Sequence, residues 1–207
     1  MASKTEICNL ALSNIGISQF ITDVDAPSEK SNEAIVCRRW YDISLNFALE
    51  DFDWNFARRR LALAEIASTP PSTWAKVYAY PSDCATARKI EVAGVRVPYA
   101  EQRIPFEVAA ETAVTGDYKV IYTDCELAVL VYTKRITDAG LFDAQFVMAL
   151  AWLLAANIAM PLAVNSKLAA QAASNYQAAK LTAFASHLNE RQEDPEPASE
   201  TERARNG

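Results

Sequence analysis

Residues Phe146–Met160, FVMALAWLLAANIAM, form an alanine-rich apolar run that meets Pro161 directly. A helix of this sequence is hydrophobic all round and has no face suited to water. It has to sit at the centre of something, packed by other helices or by other subunits. The wider stretch Ala144–Val164 also has to be weighed as a membrane span. Gln145, Asn157 and Pro161 interrupt it, and its unbroken apolar part falls short of the roughly 20 residues a span needs. The expectation is a buried core helix and no membrane span.

The rest of the chain supplies partners for that helix. Ser3-Lys4-Thr5-Glu6 has the spacing of a capping box. Ile7, Leu10, Ala11 and Ile15 then recur at helical intervals, and Asn14 and Gly16 supply a stop. A first helix is predicted over about Lys4–Ile15. A second is predicted over about Glu29–Asp51, after Pro27-Ser28. On a wheel at about 100° per residue, Ala34, Cys37, Tyr41, Leu45, Ala48 and Phe52 fill one sector. Val36, Trp40, Ile43 and Phe47 fill another, and only Arg38, Arg39, Asp42, Asn46 and Glu50 make a clear polar face. An apolar arc this wide needs two neighbours, in the same subunit or in another copy. Val36, Trp40, Ile43 and Phe47 are therefore the candidate subunit-interface residues.

From Ala57 the pattern shortens. Arg58–Ile66 carries Leu61, Leu63 and Ile66 at near-alternating positions, and Tyr78–Asp83 reads as a strand end and turn. Further strands are predicted at Ala87–Val92, Val95–Ala100, Phe106–Ala109, Tyr118–Thr123 and Ala128–Thr133, with a hairpin-like break at Thr115-Gly116-Asp117. Helix returns at about Ala139–Met160, with Asp138 as cap, and Pro161 is expected to break or kink it. A last helix over about Ser166–Glu190 has Leu168, Ala172, Tyr176, Ala179 and Ala183 on one face. Leu181, Phe184 and Leu188 lie on another. From Gln192 onward there is no aromatic or large aliphatic residue, so this segment cannot bury enough surface to fold alone. The expected fold class is α+β, mainly α: a helical bundle with a small inserted antiparallel β subdomain and a disordered C-terminal tail. Residues 1–56 and 137–191 form the bundle, 57–136 the insertion and 192–207 the flexible acidic tail.

Catalytic chemistry is scarce. The one histidine, His187, has only Glu190 as a nearby polar partner, and reads as a partly exposed helix residue. Cys8, Cys37, Cys84 and Cys125 are widely spaced without a CxxC pair, which favours reduced thiols over a disulfide framework or a zinc site. Five glycines build neither of the usual phosphate-cradling loops, and no GxSxG occurs. Asp51 and Asp53 are the nearest thing to paired carboxylates, and a helix-end cap accounts for them. Arg58-Arg59-Arg60 is the one basic run, and reads as a solvated or salt-bridged strand or as a contact to nucleic acid or acidic residues. A formal charge of −6 argues against general nucleic-acid binding, though an acidic wall that repels phosphate suits a conduit. The N-terminus MASKTEICNL has no apolar signal-peptide core. No catalytic residue, metal or cofactor is expected, and the chain reads as a building block rather than an enzyme.

Four segments in order resemble a known family: Glu6–Gly16, Cys37–Leu63, Tyr78–Cys84 with Arg88–Ile90, and Phe142–Ala163. Their combination is similar to the tail tubular protein A family, the head-to-tail adaptor of short-tailed bacteriophages. It comprises Asp53-Trp54-Asn55-Phe56-Ala57, then Tyr-x-x-Pro-x-Asp, then an apolar helix ending in Pro-Leu. The resemblance implies a non-catalytic protein of the virion tail, assembled in the host cytoplasm. It implies a homo-oligomeric ring, dodecameric in the family, between portal protein and tail nozzle protein, with genomic DNA passing through the lumen without sequence-specific binding. On that reading the last helix and the tail beyond it (Tyr176, Phe184, His187, Leu188 and Arg191) face the portal, and the β region faces the nozzle. The alternative is a non-enzymatic helical binding or regulatory module acting as a monomer or dimer.

Overall fold

The computed structural model describes residues 2–94, 103–113 and 116–189. The predicted strand Val95–Ala100, Thr115 and the tail from Gln192 lie outside the described residues. The elements in chain order are α1 (Lys4–Asn14), α2 (Asn32–Asp51), β1 (Arg58–Ala62), β2 (Lys76–Ala79), β3 (Cys84–Val92), β4 (Phe106–Ala113), β5 (Gly116–Thr123), β6 (Ala128–Lys134), α3 (Ala144–Ala163) and α4 (Ser166–Asn189). The chain divides into two compact units. One comprises Met1–Arg59, Pro81–Arg88 and Tyr132–His187; the other includes Arg60–Tyr80 and Lys89–Val131.

The first unit is helical at its centre. Its first helix forms as its ends dictate: the Ser3 side chain accepts from the Glu6 N–H while the Glu6 carboxylate accepts from the Ser3 N–H, so two orphan donors are satisfied reciprocally. At the other end Gly16 takes a left-handed φ of 79°, and the Ile17 N–H reaches back to the Leu12 carbonyl at 3.0 Å. The second helix starts at Asn32, three residues later than its apolar periodicity predicts, because Ser31 takes the N-cap and accepts from the Ala34 N–H at 3.3 Å. The apolar helix α3 packs against both α1 and α2. Ala149, Leu150, Ala151, Leu154, Ala155, Ile158 and Ala159 of α3 are all buried in the shared core. Asn157, the polar interruption in that run, donates to the Oγ of buried Ser44 on α2 at 2.9 Å, so neither group is stranded.

Pro161 sits in the last turn of α3 rather than ending it. Its missing N–H costs one hydrogen bond near a terminus that already has unpaired carbonyls, so the helix runs one residue pair further to Ala163. Val164 then closes it in a left-handed conformation, φ 49°, with its N–H on the Met160 carbonyl. Asp138 caps a 3-10 turn at Ala139–Leu141, and α3 itself begins only at Ala144.

Below the helices the Asp53–Ala57 segment forms an aromatic wedge. Trp54 is fully buried, donates its Nε1–H to the Ala48 carbonyl at 2.7 Å and meets Phe52 and Phe146 edge-on at 4.8 and 4.9 Å. Phe56, Phe142 and Phe146 extend the cluster. Arg88 closes the end of α2: its Nη2 donates to the carbonyls of Leu49, Glu50 and Phe52 at 3.1, 2.9 and 2.8 Å, and its Nε to Thr133 Oγ1 at 2.9 Å. Leu49 and Glu50 offer last-turn carbonyls that the helix cannot satisfy, Phe52 is the C-cap just beyond them, and a cation suits that end of the dipole.

In the second unit, β2 and β4 flank β5 antiparallel, with Val77 and Glu107 both opposite Tyr122 and Ala109 opposite Val120. Val77, Val120 and Tyr122 form a small core with Ile66, Trp74 and Ala109. Glu111 anchors the segment that crosses this face. It accepts from Ser68 Oγ, Tyr122 OH and Tyr118 OH at 2.7, 2.8 and 2.9 Å, and those donors hold its carboxyl below the usual range. The second sheet runs β1-β6-β3.

The expected mainly α fold, a bundle with one small β insertion, does not hold. About 45% of the described residues are helical and 24% strand, in two three-stranded antiparallel sheets, so the class is α+β without helical dominance. The strands outrun their apolar alternation. β4 continues past Ala109 to Ala113 because polar residues on its far half find cross-strand partners, Glu111 with Tyr118 and Thr112 with Asp117.

Candidate assembly surface

The four candidate interface residues of α2 separate in the structure. Val36 is 8% exposed and belongs to the core, and Trp40 is half-buried against it. Ile43 and Phe47 point away from α3 and are 54% and 53% exposed. They are one turn apart, and Ile35, two turns earlier, joins them on the outer side. Arg39 and Asp42 lie exposed among them, and Arg39 makes no hydrogen bond or ion pair among the described residues. The outcome is a ridge of large apolar side chains around one unpaired cation.

The apolar helix is likewise not wholly covered. Met148 and Met160 are each about half exposed, with Trp152 and Ala156 half-buried between them. This strip is one side of a helix whose other sides face α1 and α2. Ala144–Ala163 is the one described helix with the length and mean hydropathy, 2.0, of a span, and nine of its residues are buried.

On α4 the candidates fall in three places. Tyr176 lies in the core, where its hydroxyl donates to Asp51 Oδ2 at 2.7 Å and Lys180 Nζ reaches the same oxygen at 2.7 Å. Burial, then the Asp51 bond, pushes the Tyr176 phenol far above its ordinary value. Burial pushes the Asp51 carboxyl up, but the Lys180 and Tyr176 bonds outweigh it and hold the group below its ordinary value. Phe184 sets one edge on Phe52 at 6.0 Å and leaves about half its surface open, beside exposed Leu181. His187 and Leu188 lie on the α4 backbone with side chains outside the described set, and Arg191 lies outside it altogether.

Sequence reasoning missed a further surface. A groove of about 530 Å³ runs beside α1, lined by the apolar Ala2, Leu10, Ile17, Phe20 and Val147 and by the polar Glu6, Asn9, Ser13, Ser18 and Gln19. It is built by Asn9, which donates from Nδ2 to the Ile21 carbonyl and accepts the Ile21 N–H at Oδ1, both at 2.9 Å. That double bond draws Ile21 fully inside, and Thr5 holds the buried Val24 through its N–H. With Ile21 fixed inward, its neighbour Phe20 is turned out to 77% exposure. No periodicity flags this residue. The one signal in the chain is a lone aromatic within a polar loop.

The charged groups singled out by the sequence are engaged. Arg58 pairs with Asp53 and Arg60 with Glu91, while Arg59 donates to the Phe56 and Arg58 carbonyls. Asp51 and Asp53 thus each hold a cationic side chain. The four cysteines are free and buried. Among the described residues no group of three His, Cys, Asp or Glu side chains is arranged to hold a metal ion. The concentration of exposed large apolar side chains on three helices is therefore the feature with the clearest chemical meaning.

No protein-family model and no curated protein matches the chain.

Proposed function

We propose that the chain is a structural building block that completes itself by association with its own copies, as a ring-forming adaptor. The observation that carries this reading is the half-exposed state of Ile35, Ile43, Phe47, Met148, Met160, Leu181 and Phe184. Single exposed apolar residues are ordinary. Rows of them at helical spacing on neighbouring helices mark an interaction surface. Identical subunits supply the missing cover through a repeated contact that closes on itself.

The placement between portal and tail nozzle of a short-tailed phage rests on the four resembling segments. On it, the ring is a dodecamer and the net charge of −6 keeps the lumen from gripping DNA. The end of α4 with the segment after it docks on the portal.

Sedimentation of the purified protein with and without a portal ring, followed by electron microscopy of the heavy fraction, tests this. A closed ring seated on the portal is expected. A chain that stays a monomer or dimer in both conditions belongs to a regulator instead and removes the proposal. Separately, deleting Gln192–Gly207 with the last two turns of α4 is expected to abolish portal binding. Unchanged binding moves the portal contact elsewhere.

A further inference from the structure

We infer that the groove beside α1 receives the outer ridge of α2 from a second copy of this chain, a contact between two unlike surfaces. The inference rests on the ring reading and names the two halves of its subunit contact.

Ridge and groove share no residue, and both belong to the helical unit. A protruding surface and a receding one on the same molecule make a head-to-tail contact, which repeats from copy to copy and either closes or runs on as a filament. The dimensions agree. Ile35 to Phe47 spans twelve residues, about 18 Å of helix, and α1 with eleven residues is about 16 Å long. Recognition of this kind, a helix laid into a groove, uses anchors at whole-turn spacing, which Ile35, Ile43 and Phe47 supply. Leu10, Ile17 and Val147 give the groove apolar lining, and Phe20 beside them is largely exposed among the described residues.

Charge sets the pairing as well. Arg39, between Ile35 and Ile43, has no partner among the described residues. The one charged residue lining the groove is Glu6. Its Oε2 serves the Ser3 N–H, and its exposed side leaves Oε1 to meet a cation. A ridge-to-ridge dimer satisfies none of this: it leaves Phe20 and the groove uncovered and Glu6 without Arg39.

Cysteine pairs test the geometry without depending on a destabilising change, since the four native thiols are buried. Phe20→Cys and Phe47→Cys are made singly and together, and each protein is treated with a short bis-maleimide, alone and with a portal ring. The double variant is expected to give a ladder of covalent multimers. The two single variants, mixed, are expected to give cross-linked dimers only, and each by itself none. Dimers from Phe47→Cys alone mean a symmetric ridge contact and overturn the inference. So does an absence of cross-links in a preparation that sediments as a ring, which leaves the ring reading standing. Ile43→Asp gives the second arm: half-assembly is expected at about ten-fold higher protein concentration, with unchanged circular dichroism. Assembly equal to wild type sinks the ridge assignment. If the wild-type chain forms no ring under any of these conditions, the ring reading fails and takes this inference with it.

Discussion

Arg88 makes four hydrogen bonds through its guanidinium, and its environment makes the substitution predictable. Burial lowers the guanidinium somewhat from its ordinary value, against the opposing pull of Asp53, and it stays charged. Arg88→Ala leaves the carbonyls of Leu49, Glu50 and Phe52 without that donor, and should cost about 2–3 kcal/mol in urea unfolding. Arg88→Lys should recover little, because a single ammonium cannot span the fork that joins these carbonyls to Thr133. Asp51 makes a prediction in pH. Its folded value lies below the unfolded reference of 3.8. Its contribution is therefore complete above about pH 4 and drains away as pH falls through the folded value. Urea midpoints at pH 6 and pH 3 should draw together in Asp51→Asn relative to wild type.

Helix ends and helix faces differ in how far the sequence discloses them. The capping box at Ser3 and Glu6 was legible because every atom of it lies within four residues. The start of α2 was not, since Pro27-Ser28 and Ser31 compete as entry points and only the packed chain decides for Ser31. Val36 and Ile43 looked alike on a wheel. Their fates diverge because a wide apolar arc does not say where the neighbouring helix stops. Strand pairing was beyond reach for a related reason: the order β1-β6-β3 joins residues some 70 positions apart, which no local pattern encodes. The exit of α3 carries a prediction of its own. Val164 is β-branched, largely exposed, and held at φ 49°. Such backbone favours glycine, and exposure means no packing is lost by removing the side chain. Val164→Gly should stabilise by about 1 kcal/mol, raising the melting temperature by about 2–4 °C. A fall in melting temperature would show that the Val164 side chain is in contact with something.

At the scale of the whole molecule the balance of forces predicts a salt response. The surface proposed for assembly is mostly apolar, and its one charge pair, Arg39 with Glu6, joins two exposed side chains, a kind of pair that contributes little to affinity. Raising salt to about 1 M shortens screening to about 3 Å and leaves apolar contact intact. The heavy species in sedimentation should therefore persist or grow. Dissolution in high salt would mean that charge, not oily surface, holds the copies together. The Asn157–Ser44 bond joins two residues that are synthesised far apart in time. The core helix is encoded about a hundred residues after the helices it packs against. At ribosomal speeds of about 5–20 residues per second, α1 and α2 emerge on the order of ten seconds before α3 arrives to cover them. During that interval their inner faces are open to chaperones and to other nascent chains. The chain thus acquires the helix at its centre late, with only α4 still to come.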